Sequence, residues 1–242
     1  MASRHLIRSR MERLHASQSY GPVLLMVIAS IVFAAVAPDG NWSGSVLLLI
    51  ESATLVVALW TAGLAATDSK LSLALIALSA ATAVALVIWG GTPLAGAVGI
   101  LSAGLTFAIG TAIVVGVLDQ GEVNRQAVTG AVAIYLLIGF TFVFIYGAMA
   151  ILGDGNLFAQ GTDGTRALRL YFSYVTIATV GYGDYTMAGN LGRMLAVLEA
   201  LMGQLYLVTV LALMVSRMRG KGRLSAPPAS SASDDAAGGP RP

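Results

Sequence analysis

Six long apolar runs dominate this chain, near residues 22–37, 45–67, 71–89, 94–118, 127–152 and 190–216. A lipid interior offers no water to backbone N–H and C=O groups, so a run that crosses it must close its hydrogen bonds internally, as a helix. Roughly 18 or more apolar residues are needed for a crossing, which leaves the first run marginal and the others adequate. The balance of 57% hydrophobic to 11% charged residues fits apolar side chains that face lipid as well as core. The expected fold class is an all-α membrane protein with six transmembrane helices.

The basic residues give an orientation. Arg4, Arg8, Arg10 and Arg13 precede the first run, and Arg217, Arg219, Lys221 and Arg223 follow the last. Lys70 and Arg125 fall in short loops on that same side, against Arg166, Arg169 and Arg193 on the other. Positive charge concentrates on the inner face, so both termini are expected to be cytoplasmic in a multi-pass protein of the cell membrane. Trp42 and Trp89 then fall at outer ends and Tyr20 at an inner end, as interfacial rings. Residues 1–20 form a basic N-terminal segment in which Ile7, Met11 and Leu14 recur at helical spacing. That suits either an in-plane helix on anionic lipid or a disordered leader. A secretory signal ending at Ala35-Val36-Ala37 fits less well, because Pro38 would follow the cut. Residues 219–242, rich in Ala, Ser, Pro and Gly, read as a disordered tail.

Between the last two runs lies the chemistry. Thr165 to Ala178 is too short to cross a bilayer and is expected as a re-entrant helix. It leads into Thr179-Val180-Gly181-Tyr182-Gly183-Asp184. Gly181 and Gly183 can take positive φ without a Cβ clash and let several backbones crowd one axis. Consecutive carbonyls turned toward such an axis can replace the water shell of a cation. In a soluble protein a Gly-rich polar hexapeptide is more often a tight turn; here the flanking spans argue otherwise.

This TVGYGD run, placed between two apolar spans, resembles the pore of the potassium channel family. The resemblance implies that the carbonyls of Thr179, Val180, Gly181 and Tyr182 coordinate K⁺, with Gly183 completing the filter and the Thr179 hydroxyl at its inner end. Asp184 would stand at the external mouth, and a hydrogen bond from Tyr171 to Asp184 is expected behind the filter. Tyr171, Phe172 and Tyr174 take the places of an aromatic cuff. Ala178 departs from the second threonine of many relatives. One filter strand per chain implies a homotetramer.

Other residues of the last span carry secondary expectations. Glu199 lies at a depth where a carboxylate must be partnered or protonated, and is expected to support the filter from behind. Gly203 is either a gating hinge or a packing glycine, and Gln204 beside it is a cavity-lining group. Residues 119–218 thus read as the pore domain. Residues 21–118 resemble a voltage-sensor domain in helix count and order only. The fourth run carries no arginine, and Glu51 and Asp68 have no evident charged partner. Conventional voltage gating is not expected. Ala95, Gly99 and Ala103 form a small-residue stripe for close helix packing.

Cysteine is absent, and no resident metal cluster, nucleophile triad or phosphate-binding loop is present in the sequence. Neither enzymatic activity, nor a cofactor, nor a nucleic-acid partner is expected. The alternatives are a weakly selective cation channel and a pore-loop subunit of a potassium uptake transporter. A non-conducting accessory protein would leave the TVGYGD run unexplained.

Overall fold

The computed structural model describes residues 19–63, 70–119 and 125–224. Within them the apolar runs are helices: α1 (Gly21–Val36), α2 (Asn41–Thr61), α3 (Lys70–Ile88), α4 (Thr92–Asp119), α5 (Arg125–Leu152), α6 (Arg166–Ile177) and α7 (Asn190–Leu224). Among the described residues four stretches are long and apolar enough to cross a membrane: Asn41–Thr61, Leu94–Val117, Gln126–Leu152 and Asn190–Val210. Gly21–Val36 and Leu73–Ile88 are apolar but shorter. The leader 1–18, Asp68 and the chain beyond residue 224 lie outside the described residues. Residues 219–224, read as the start of a disordered tail, instead continue α7.

Polar side chains inside these helices mostly return to their own backbone. Ser52, Thr54 and Thr61 of α2 donate to the carbonyls of Leu48, Ile50 and Val57 at 2.7–2.8 Å. A hydroxyl satisfied one turn back does not have to be desolvated without a partner. Two others tie helices together. Ser45 of α2 donates to Ala83 O of α3 at 3.0 Å, and Thr141 of α5 to Thr106 Oγ1 of α4 at 2.9 Å. Glu51 of α2 and Ser102 of α4 are exceptions, both buried, with neither the Glu51 carboxyl oxygens nor the Ser102 hydroxyl hydrogen-bonded.

The main core joins α1 to α5 through Val23, Val27, Leu48, Leu55, Leu105, Ile109, Ile113 and Leu137. Small residues set how closely these helices approach. A Cβ on Gly99 would stand 3.5 Å from Ala148 Cβ and Phe144 O, so the Ala95–Gly99–Ala103 stripe seats α4 against α5. Tyr20 corrects an expectation. Expected as an exposed interfacial ring, it is wholly buried, its ring against Gly130 and its hydroxyl where a Gly116 side chain would have to go. A second core of Phe142, Tyr146, Leu157, Phe158, Phe172 and Met187 gathers α5, α6 and the loops flanking them.

Candidate functional site

α6 is fixed at its start by contacts from both parts of the chain. Thr165 Oγ1 accepts from Leu168 N at 3.1 Å, capping the first turn. Asp39, in the α1–α2 connection, accepts from Arg166 N at 3.0 Å, and Arg166 Nη2 donates to Ser43 Oγ at 3.2 Å. Arg169 Nη1 donates to the carbonyls of Asp163 and Gly164 at 3.0 and 2.7 Å. Further along, Tyr174 Oη donates to Leu136 O of α5 at 2.7 Å. Gly139 makes that approach possible, since a Cβ there would lie 3.1 Å from the Tyr174 ring.

The segment that follows hangs from the end of α6. Thr179 N donates to Thr176 O at 2.9 Å, while Val180 N and Gly181 N both donate to Val175 O, at 2.9 and 3.3 Å. Positive φ recurs at alternate residues: Thr179 at 56°, Gly181 at 55° and Gly183 at 78°. In an ordinary strand successive carbonyls point to opposite sides; left-handed residues at every second position break that alternation. Positive φ was expected at the two glycines. Thr179 adds the first member of the series, as the one positive-φ residue other than glycine among the described residues. Its Oγ1 accepts from Gln204 Nε2 of α7 at 3.0 Å. The exit is held by the preceding loop, where Ala159 N donates to Thr186 O at 2.8 Å and Ala188 N to Leu157 O at 3.0 Å.

At the far end of the segment Tyr171 Oη donates to Asp184 Oδ2 at 2.8 Å, the expected bond. That acceptor holds the proton on the phenol and raises its pKa. The Tyr171 ring also stacks on Tyr182, 6.4 Å between centroids at an interplanar angle of 7°. Of the three rings expected as a cuff, this one stacks on the TVGYGD segment of its own chain. Phe172 turns to Tyr146 and Phe158 at 5.5 and 5.3 Å, and Tyr174 to α5.

Glu199 of α7 is fully buried behind this segment and does face α6. Tyr146 Oη of α5 donates to its Oε2 at 2.7 Å, and Ser173 Oγ lies 2.5 Å from its Oε1. Gly203 sits where α7 touches the end of α6: a Cβ would come within 2.6 Å of Ile177 O. Close approach explains a glycine at this position, and α7 runs unbroken through it. Tyr206 Oη of α7 donates to Ala131 O of α5 at 2.7 Å, completing the contact of α5, α6 and α7.

Residues 130–220 match the ion channel family model. The match covers most of α5, all of α6, the Thr179–Asp184 segment and α7 to residue 220, and it supports an ion channel within a membrane protein. No curated protein and no solved structure matches the chain.

Several residues that build this ion-channel-like region were not singled out from the sequence. Ser173 and Tyr146 carried a faint signal, as hydroxyls in apolar surroundings within reach of a buried acid. Gly139 and Asp39 carried none, because their roles depend on which helix lies opposite.

Proposed function

We propose that four copies of this chain surround one axis and conduct K⁺ selectively and passively. In this reading α1 to α5 and α7 all span the cell membrane, with both termini cytoplasmic, and α6 is re-entrant. α1 to α4 form a peripheral domain, and α5 to α7 form the pore. The alternation of positive φ at Thr179, Gly181 and Gly183 carries the proposal, because it suits a strand that offers its carbonyls to one axial ion. Thr179, Val180, Gly181 and Tyr182 supply the coordinating carbonyls, and Gly183 leads out to Asp184. At the inner end a hydroxyl oxygen has two lone pairs; Gln204 takes one on Thr179 Oγ1 and leaves the other for the ion. The C-terminal dipole of α6 points its partial negative charge at an ion waiting below.

Tetramer formation is supported by what one chain leaves open. Only 11% of the α7 spanning window is buried within the chain, and Val180 and Tyr182 are 52% and 70% exposed. Neighbouring copies would cover them.

Purified protein in a bilayer with K⁺ on one side and Na⁺ on the other tests the reading. Current should reverse near the K⁺ equilibrium potential. Reversal near zero would mean a weakly selective cation pore, and a stable conducting monomer or dimer, weighed in mild detergent, would end the fourfold scheme. Gly181→Ala should abolish K⁺ current while protein remains in the membrane. A left-handed backbone costs a non-glycine residue about 1–2 kcal/mol, and four copies would share the strain.

A further inference from the structure

The hydrogen bonds around Glu199 can be oriented by counting protons. Ser173 Oγ lies 2.7 Å from Gly139 O and 2.5 Å from Glu199 Oε1. A serine hydroxyl has one proton, and a backbone carbonyl can only accept. If Ser173 gave its proton to Glu199, two lone-pair-bearing oxygens would be left facing each other at Gly139. Ser173 therefore donates to Gly139 O, and the short contact on its other side needs a donor. Tyr146 spends its own proton on Glu199 Oε2. A proton on Glu199 Oε1 supplies that donor.

The surroundings agree with that count. Among the described residues no cation pairs with Glu199, and the other titratable groups within electrostatic reach are the phenols of Tyr146 and Tyr135 on α5 and Tyr174 on α6. A fully buried carboxylate without a counter-charge is expensive, whereas a neutral acid with both oxygens hydrogen-bonded is not.

We propose that Glu199 is held as the neutral acid and serves as a positioning residue, donating through Ser173 to Gly139 O while accepting from Tyr146. The relay ties α7 to α6 and α6 to α5. It grips α6 two residues before Val175, whose carbonyl receives the amides of Val180 and Gly181. Its influence on conduction rests on the proposed potassium pore; the proton on Glu199 does not.

Glu199→Gln provides the test. A carboxamide offers an N–H to Ser173 and a C=O to Tyr146, reproducing the donor and acceptor of the acid without the ability to ionise. The variant should keep K⁺ conductance and its persistence within about twofold of the parent from about pH 5 to about pH 8, whereas Glu199→Ala should speed the decay of current roughly tenfold through loss of buried hydrogen bonds. Infrared spectra of the reconstituted protein at neutral pH should show a hydrogen-bonded protonated-carboxyl C=O band, distinct from any band of the unbonded Glu51, that is lost in Glu199→Gln. Absence of that band from the parent, or a Gln variant as damaged as Ala, would overturn the proposal. If the protein carried no K⁺ current at all, the pore reading would fail while the band still decided the proton.

Discussion

A phenol and a carboxylate fix the Asp184 end of the TVGYGD segment. Because the Tyr171–Asp184 bond joins α6 to the segment it leads into, each partner should lose most of its effect once the other is gone. Tyr171→Phe and Asp184→Asn should each hasten current loss in low external K⁺, and the double variant should be little worse than the more damaging single one. Fully additive decay rates would mean that the two side chains act apart. The bond also sets a pH window. The folded protein raises the Tyr171 pKa, so the neutral phenol is favoured; the contribution is complete below the ordinary phenol range and is lost as pH rises through the raised value. An alkaline loss of current that is present in the parent and missing in Tyr171→Phe would register it. This pair was legible in the sequence because a recurring motif fixes both partners. The Ser173–Glu199–Tyr146 set was not, since three hydroxyl or carboxyl groups from three helices converge only after packing.

At the scale of elements, the contact between α6 and α7 leaves no room for even one methyl group. Gly203→Ala would put a carbon 2.6 Å from Ile177 O, an atom of the main chain that cannot rotate away. The helices must separate, and overpacking of this kind costs about 1–3 kcal/mol. A lowered melting temperature in detergent, with the spanning helices retained, is the expected result; an unchanged one would mean that α7 bends or slides at Gly203 with little penalty. Helix positions were readable from hydropathy, because apolar length alone determines where a lipid-facing helix can form. Their ends were less so. α2 starts at Asn41, before its apolar run, and α7 reaches Leu224 through Arg217, Arg219, Lys221 and Arg223, since a helix can extend past the apolar stretch that selects it. The burial of Tyr20 was hidden for a different reason: an aromatic ring beside a span suits an interface or a slot between glycines equally well.

For the whole molecule, the hold of membrane voltage on the proposed pore depends on whether α1 to α4 bear a charge that can move. α4 carries no Lys or Arg, and each elementary charge that crosses the field contributes about 2.3 kcal/mol per 100 mV. Conductance plotted against voltage should therefore be flat or rise gently, as recorded from the reconstituted protein. Steep sigmoidal opening would place a gating charge elsewhere in the chain.

Three of the ties that hold α6 and α7 to α5 share one property. Ser173, Tyr174 and Tyr206 all donate to main-chain carbonyls, those of Gly139, Leu136 and Ala131. A carbonyl is present whatever side chain its residue bears, so the donors alone carry sequence-specific information. α5 can therefore drift at Leu136 and Ala131 without unfastening its neighbours. Gly139, squeezed by the Tyr174 ring, has no such latitude.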